Sequence, residues 1–197
     1  MTREEFIGQK LFDVCTSKSI LEIGPQSSCF FTEEILKHNP TKVTLLEAAA
    51  DDFNACCNKY QGSLVVNVIH GDMHTHLPMV GNVDVAILMG IMYHSHAPLY
   101  VLEELVNNCD PEIVIYETTG SSDGFGISCE EEQTNLSGMR NIITSKKTCN
   151  IVQALNYGVI HKAMQNLGYN LTQTIIYPAE VPRAGVQVFK FEKNHDR

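Results

Sequence analysis

Five short apolar runs, four closing on a glycine or a carboxylate and one followed by His70-Gly71-Asp72, restrict the fold of this chain more than any other feature. Ser19 to Gly24, Lys42 to Glu47, Leu64 to Ile69, Val83 to Gly90 and Glu112 to Glu117 read as strands. Helical spacing comes between several of them. Phe30, Phe31, Ile35 and Leu36 mark a helix stopped by Asn39-Pro40; Asp51 to Tyr60 and the stretch from Pro98 through Leu102, Leu105 and Val106 mark two more. A strand–helix–strand alternation of this kind builds an open parallel sheet covered by helices. Val83 to Gly90 is almost continuously apolar, which places it mid-sheet, where both faces are buried.

The ends of the chain modify that pattern. Phe6, Ile7, Leu11, Phe12 and Cys15 predict an amphipathic helix over 4–16, ahead of the first strand. Leu155, Val159, Ala163 and Leu167 predict a late helix capped by Gly168, and Leu171 to Tyr177 and Val186 to Phe191 predict a closing antiparallel hairpin. The stretch 118–147, with Gly120 to Gly126 and Glu130-Glu131-Glu132, exceeds an ordinary connection and is expected to be a lid or substrate-side insertion. At 197 residues the expectation is a single domain over 1–197.

In a parallel sheet of this type the ligand crevice lies at the carboxyl ends of the strands. Glu22 and Gly24 close the first run, Glu47 the second, Asp72 follows the third, Met89 to His96 follow the fourth, and Glu117 closes the fifth. A carboxylate ending the second strand suits two ribose hydroxyls, and one after the third suits an exocyclic amine such as adenine's. The register therefore points to a nucleoside ligand.

These residues resemble class I S-adenosylmethionine-dependent methyltransferases over nearly the whole chain. Leu21-Glu22-Ile23-Gly24-Pro25-Gln26-Ser27-Ser28 is similar to the family's E-x-G-x-G-x-G loop, with Gln26 and Ser28 at the second and third glycine positions. Glu47 resembles the ribose carboxylate, and Gly71-Asp72-Met73 the adenine-contacting turn. Met89-Gly90-Ile91-Met92-Tyr93-His94-Ser95-His96-Ala97-Pro98-Leu99 resembles a segment of the transferases that carboxymethylate the wobble uridine of transfer RNA. Glu117-Thr118 and Met139-Arg140-Asn141-Ile142 extend that local likeness. The resemblance implies a three-layer Rossmann-like methyltransferase fold with a mostly parallel seven-stranded sheet in the order 3-2-1-4-5-7-6 and a C-terminal antiparallel hairpin.

It further implies S-adenosylmethionine as cofactor, with S-adenosylhomocysteine as product. The cofactor would be held by Glu22, Gly24, Gln26, Glu47, Ala48, Asp72, Met73, Met89, Gly90 and Tyr93. His94 is the expected proton acceptor beside Tyr93; His96, Glu117, Arg140 and Asn141 are the expected acceptor contacts.

Composition separates the possible acceptors. Fourteen Lys+Arg against 23 Asp+Glu leave a net charge of −9, which favours a small molecule over RNA. A transfer-RNA modification is the alternative, and would rely on Arg140, Lys146 and Lys147. A binding module without group transfer is a third reading, motivated by Gln26 and Ser28. His74-x-His76 and His94-x-His96 with Asp72 could form a metal site, but supply no defined ligand set, so no metal is assigned. Seven cysteines without a C-x-x-C pair, no apolar leader in Met1 to Lys10 and no run of about 18 apolar residues lead to the expectation of a cytoplasmic protein with no membrane partner. Oligomeric state is not readable from the sequence.

Overall fold

The computed structural model describes residues 1–118, 127–131, 151–155, 157–178 and 186–195. Helix α1 (Arg3–Leu11) begins at a capping box: Thr2 Oγ1 accepts from the Glu5 amide, and Glu5 Oε2 accepts from the Thr2 amide. A single 3-10 turn, Phe12–Cys15, leads into β1 (Ser19–Ile23), so the helix expected over 4–16 tightens in its last turn. Then follow α2 (Phe30–Leu36), β2 (Lys42–Glu47), α3 (Ala50–Lys59), β3 (Val66–His70), β4 (Val85–Leu88), α4 (Pro98–Cys109) and β5 (Ile113–Thr118). The chain continues through β6 (Ile127–Glu131), β7 (Ile151–Leu155), α5 (Tyr157–Asn166), β8 (Tyr169–Ile176) and β9 (Gln187–Lys193).

Seven strands form one mixed sheet in the order β3-β2-β1-β4-β5-β9-β8. The pairs β3–β2, β2–β1, β1–β4 and β4–β5 are parallel, and β9 runs antiparallel to both β5 and β8. With β8 and β9 as sixth and seventh strands, this is the order expected from the resemblance. Alternation along the strands generates the layers. Val85 and Ile87 face a core shared with Ile7, Phe12 and Ile35, whereas Ala86 and Leu88 face one shared with Leu102, Leu105, Ile160 and Met164. Helices α1 and α2 thus cover one face, and α4 and α5 the other.

Two expectations are corrected. The helix predicted from Leu155 begins at Tyr157, with Gly158 inside it, and Leu155 is the last residue of β7. That strand pairs antiparallel with β6 in a separate two-stranded sheet, from Ile127↔Leu155 to Glu131↔Ile151, so the chain carries more strands than the seven of the main sheet. The four-residue recurrence arose because a strand residue happened to precede the helix in phase. Apart from Thr118 and β6, the 118–147 insertion lies outside the described residues, as do Gly120 to Gly126, Arg140, Asn141, Lys146 and Lys147. No helix among the described residues is long and apolar enough to cross a membrane.

Candidate functional site at the strand ends

Loop 24–29 follows β1 and makes one wall of a cavity of about 140 Å³. Glu22, Gly24, Gln26, Met89 and Gly90, all predicted cofactor contacts, line it together with Arg3, which the sequence reading missed. Gly24 adopts φ +69, and a Cβ there would lie 2.7 Å from Ile91 Cδ1, so its missing side chain keeps the β1 and β4 loops in contact. Gln26 stands where the resemblance places a second glycine, yet it too takes a left-handed φ of +59. Such a conformation costs a non-glycine residue about 1–2 kcal/mol, and the surrounding bonds offset it.

Those bonds all lead to β2 and α3. The Gln26 amide donates to Glu47 Oε2 at 3.0 Å, the Ser27 amide to Asp52 Oδ1 at 3.0 Å, and Lys59 Nζ to the Ser28 carbonyl at 2.8 Å. Glu47 also accepts from the Ala49 amide through Oε1 at 2.9 Å. Each of its oxygens thus keeps a lone pair for a further donor. Burial raises the Glu47 pKa above the ordinary carboxylate range, partly offset by these two amides. Backbone bonds from Gly24 N to Leu46 O and from Gly71 N to Glu47 O, both 2.9 Å, hold the neighbouring strand ends in step.

Glu22 is buried on the α2 face of β1, where Thr32 Oγ1 donates to its Oε2 at 2.6 Å. Burial pushes its pKa up to about 8, so at neutral pH it is mostly the uncharged acid. The folded value lies above the ordinary carboxylate value of about 4.5, so the stability from this group is complete below about 4.5 and is lost as pH rises to about 8. Glu22→Gln keeps the shape and removes the titration. Between pH 5 and 8 the melting temperature of the native protein is expected to fall by roughly 10 °C more than that of the variant, about 3–4 kcal/mol. Parallel melting curves of the two proteins would contradict a neutral, buried Glu22.

The third and fourth strand ends form a second cluster. Asp72 Oδ1 accepts from the His74 amide at 2.6 Å, and the Asp72 amide donates to His76 Nδ1 at 3.2 Å. The rings of His74 and His96 stack at 4.2 Å, and His74 Nε2 lies 3.2 Å from Ser95 Oγ. Tyr93 and His94 pack at 4.2 Å in the single turn Met92–His94, which the backbone of β7 approaches. Burial lowers the His74 pKa, although Asp72 opposes the shift. Among the described residues no group of three or more His, Cys, Asp or Glu is placed to hold a metal ion. The Ala48 carbonyl lies 3.2 Å from His70 Nε2, and Met73 packs against the core.

Glu117 has a different setting from that expected of an acceptor contact. It is fully buried, Tyr177 donates to its Oε1 at 2.8 Å, and Arg3 lies 3.7 Å away. Arg3 also sits 4.8 Å above the Phe31 ring, which fixes its guanidinium between Glu117 and the cavity. The Thr2-x-x-Glu5 capping box was the available signal for Arg3, because it places that residue in the first turn of α1.

No family model matches the chain, and no curated protein matches it by sequence. Solved structures do. The N-terminal domain of EvdMO1, solved with S-adenosylhomocysteine and D-fucose, is similar with a TM-score of 0.71 at 15% identity, covering 98% of this chain and 83% of that one. The 1,6-didemethyltoxoflavin-N1-methyltransferase of Burkholderia thailandensis, with its acceptor and S-adenosylhomocysteine bound, gives 0.67 at 13% identity, covering 97% and 76%. The N-methyltransferase NodS of Bradyrhizobium japonicum gives 0.66 at 12% identity, covering 98% and 97%. The strand order and these likenesses give the chain the Rossmann-like fold of S-adenosylmethionine-dependent methyltransferases.

Proposed function

We propose that this protein is a methyltransferase that uses S-adenosylmethionine and acts on a small-molecule acceptor. The observation that carries the reading is a cavity lined by Glu22 and the Gly24–Gln26 loop, with Glu47 tied to that loop through the Gln26 amide, on a fold whose solved examples include complexes with S-adenosylhomocysteine. The cavity suits an amino-acid end rather than a whole nucleoside, which leaves the nucleoside over the β2 and β3 edge. There the spare lone pairs of Glu47 accept from ribose hydroxyls and Asp72 accepts from an amine. In the cavity, Arg3 offers a guanidinium to a carboxylate, and Glu22 becomes a counter-charge once an ammonium lies near it.

When bound, S-adenosylmethionine supplies an electrophilic methyl group on a sulfonium. The protein's part is to hold the acceptor in line with that methyl and keep water away. His94 takes the proton of a hydroxyl or amine acceptor, with Tyr93 beside it; a carboxylate acceptor needs no base. His96, Arg140 and Asn141 complete the acceptor side, whereas Glu117 holds Arg3 at the cavity. The net charge of −9 favours a small acceptor over transfer RNA, and the likeness of Met89–Leu99 to the wobble-uridine branch rests on sequence alone.

Titration calorimetry of ligand-free protein with S-adenosylhomocysteine tests the cofactor site. Binding near 1 μM, about −8 kcal/mol, is expected. Absence of binding to both this ligand and S-adenosylmethionine rejects the proposal, and binding without transfer to any acceptor favours a non-catalytic module.

A further inference from the structure

Cys29 and Cys56 come together from 27 positions apart, with their Sγ atoms 3.3 Å from one another. Each Sγ also lies 3.3 Å from the carbonyl oxygen of Gln26. Two thiol protons therefore serve three contacts, and the loop residue with the strained φ of +59 is held by both sulfurs. Cys29 itself is left-handed, φ +51, at the cap of α2, between Ser28 and Phe30, which both line the cavity. Both cysteines are fully buried, behind the cavity wall to which the chain neighbours of Cys29 contribute.

The two thiols are chemically unequal. The hydrogen bond from Cys56 draws the Cys29 pKa down to about 7; burial opposes this, and nearby Lys59 assists it. The same bond pushes Cys56 up, so it retains its proton. Cys15 and Cys109 are instead pushed up to about 12 and about 11, with burial the largest cause.

We propose that Cys29 and Cys56 are a reversible oxidation site that controls the Gly24–Cys29 loop. The oxidant is a peroxide. The Cys29 thiolate attacks one peroxide oxygen; an S–O bond forms, the O–O bond breaks, and the other oxygen leaves with a proton as water. Cys56 then loses its proton and attacks the Cys29 sulfur. An S–S bond forms, the S–O bond breaks, and the departing hydroxide takes that proton as a second water. Each sulfur is oxidised by one electron, and the peroxide is reduced by two.

The bridge shortens the S···S separation from 3.3 Å to about 2.05 Å. It also removes the thiol protons that the Gln26 carbonyl can accept. Gln26 then keeps only its amide bond to Glu47 against a left-handed conformation, so the loop loosens where it meets that carboxylate. The consequence for S-adenosylmethionine rests on the cofactor reading above; the bridge and the loosening do not.

The test treats the full chain with hydrogen peroxide and maps peptides without reduction, then repeats the mapping after dithiothreitol. A Cys29–Cys56 peptide that disappears on reduction, and that is absent from Cys29→Ser and Cys56→Ser but present in Cys15→Ser, is the expected result. Hydrogen exchange of the 24–29 peptide should be about fivefold faster in the oxidised form, the effect of losing about 1 kcal/mol of hydrogen bonding. Affinity for S-adenosylhomocysteine should fall by roughly tenfold and return on reduction. No bridge, or a different pairing, overturns the proposal. So does the right bridge with unchanged exchange, or with faster exchange and unchanged affinity. If neither form binds the ligand, the cofactor reading fails, and the exchange result alone decides the redox control.

Discussion

Replacing Glu47 with alanine should weaken binding of S-adenosylhomocysteine by about 1.5–3 kcal/mol, or roughly 10- to 150-fold, the cost of removing a charged hydrogen-bond partner. Two losses combine. The carboxylate no longer offers oxygens to the ribose, and the Gln26 and Ala49 amides lose their acceptor. Gln26 is exposed, so water can satisfy its amide, but its left-handed backbone then lacks its tie to β2. Glu47→Gln separates the two effects. It retains one oxygen for an amide but loses the charge and one acceptor, so its affinity should lie between native and alanine. Calorimetry on the three proteins measures this, and equal affinities would remove Glu47 from the ligand site.

Gly24→Ala should lower folding stability by about 1–2 kcal/mol, because an alanine at φ +69 is strained. The new Cβ would also meet Ile91 Cδ1 at 2.7 Å and Cγ1 at 3.0 Å, so the β4 loop must shift with it. That shift pulls on Gly90, which with Met89 lines the cavity. Ligand affinity should consequently fall along with stability. Gly24→Ala combined with Ile91→Ala distinguishes the causes: the smaller side chain relieves the clash while the backbone strain persists. A denaturant midpoint for Gly24→Ala equal to that of the native protein would contradict this account of the loop.

The two variants probe one arrangement from opposite sides, since Glu47 restrains the 24–29 loop through hydrogen bonds and Gly24 restrains it through close approach to Ile91. The Cys29–Cys56 pair grips the same loop at the carbonyl of Gln26. A segment that carries two non-glycine residues in left-handed conformations needs such external ties, because its own backbone energy favours other shapes. This is also where a chemical change of two hydrogen atoms can be read as a change of affinity.

Much of this molecule follows from local patterns. Apolar runs of strand length, helices with one apolar stripe and stop signals such as Asn39-Pro40 are set by neighbours a few residues apart, and the observed strands and helices lie within a few residues of those expected. The alignment of Glu22, Glu47, Asp72 and Glu117 at strand ends was equally readable, because in a parallel sheet the carboxyl ends share one edge. The phase of a repeat was a weaker guide: Leu155 matched the helix spacing, but hydrogen bonding to Ile127 makes it a strand residue.

Long-range packing determined the rest. Arg3 reaches the cavity because α1 folds onto α2 and the sheet, and Glu117 is enclosed because β9 and Tyr177 close over the end of β5. Gln26 adopts a glycine-like backbone because Glu47 and Cys56, 21 and 30 positions away, converge on it beside the neighbouring Cys29. Local propensity assigns those residues to strand ends, caps and helices, but the free energy of their contacts exists only when elements from several parts of the chain occupy the same few ångströms.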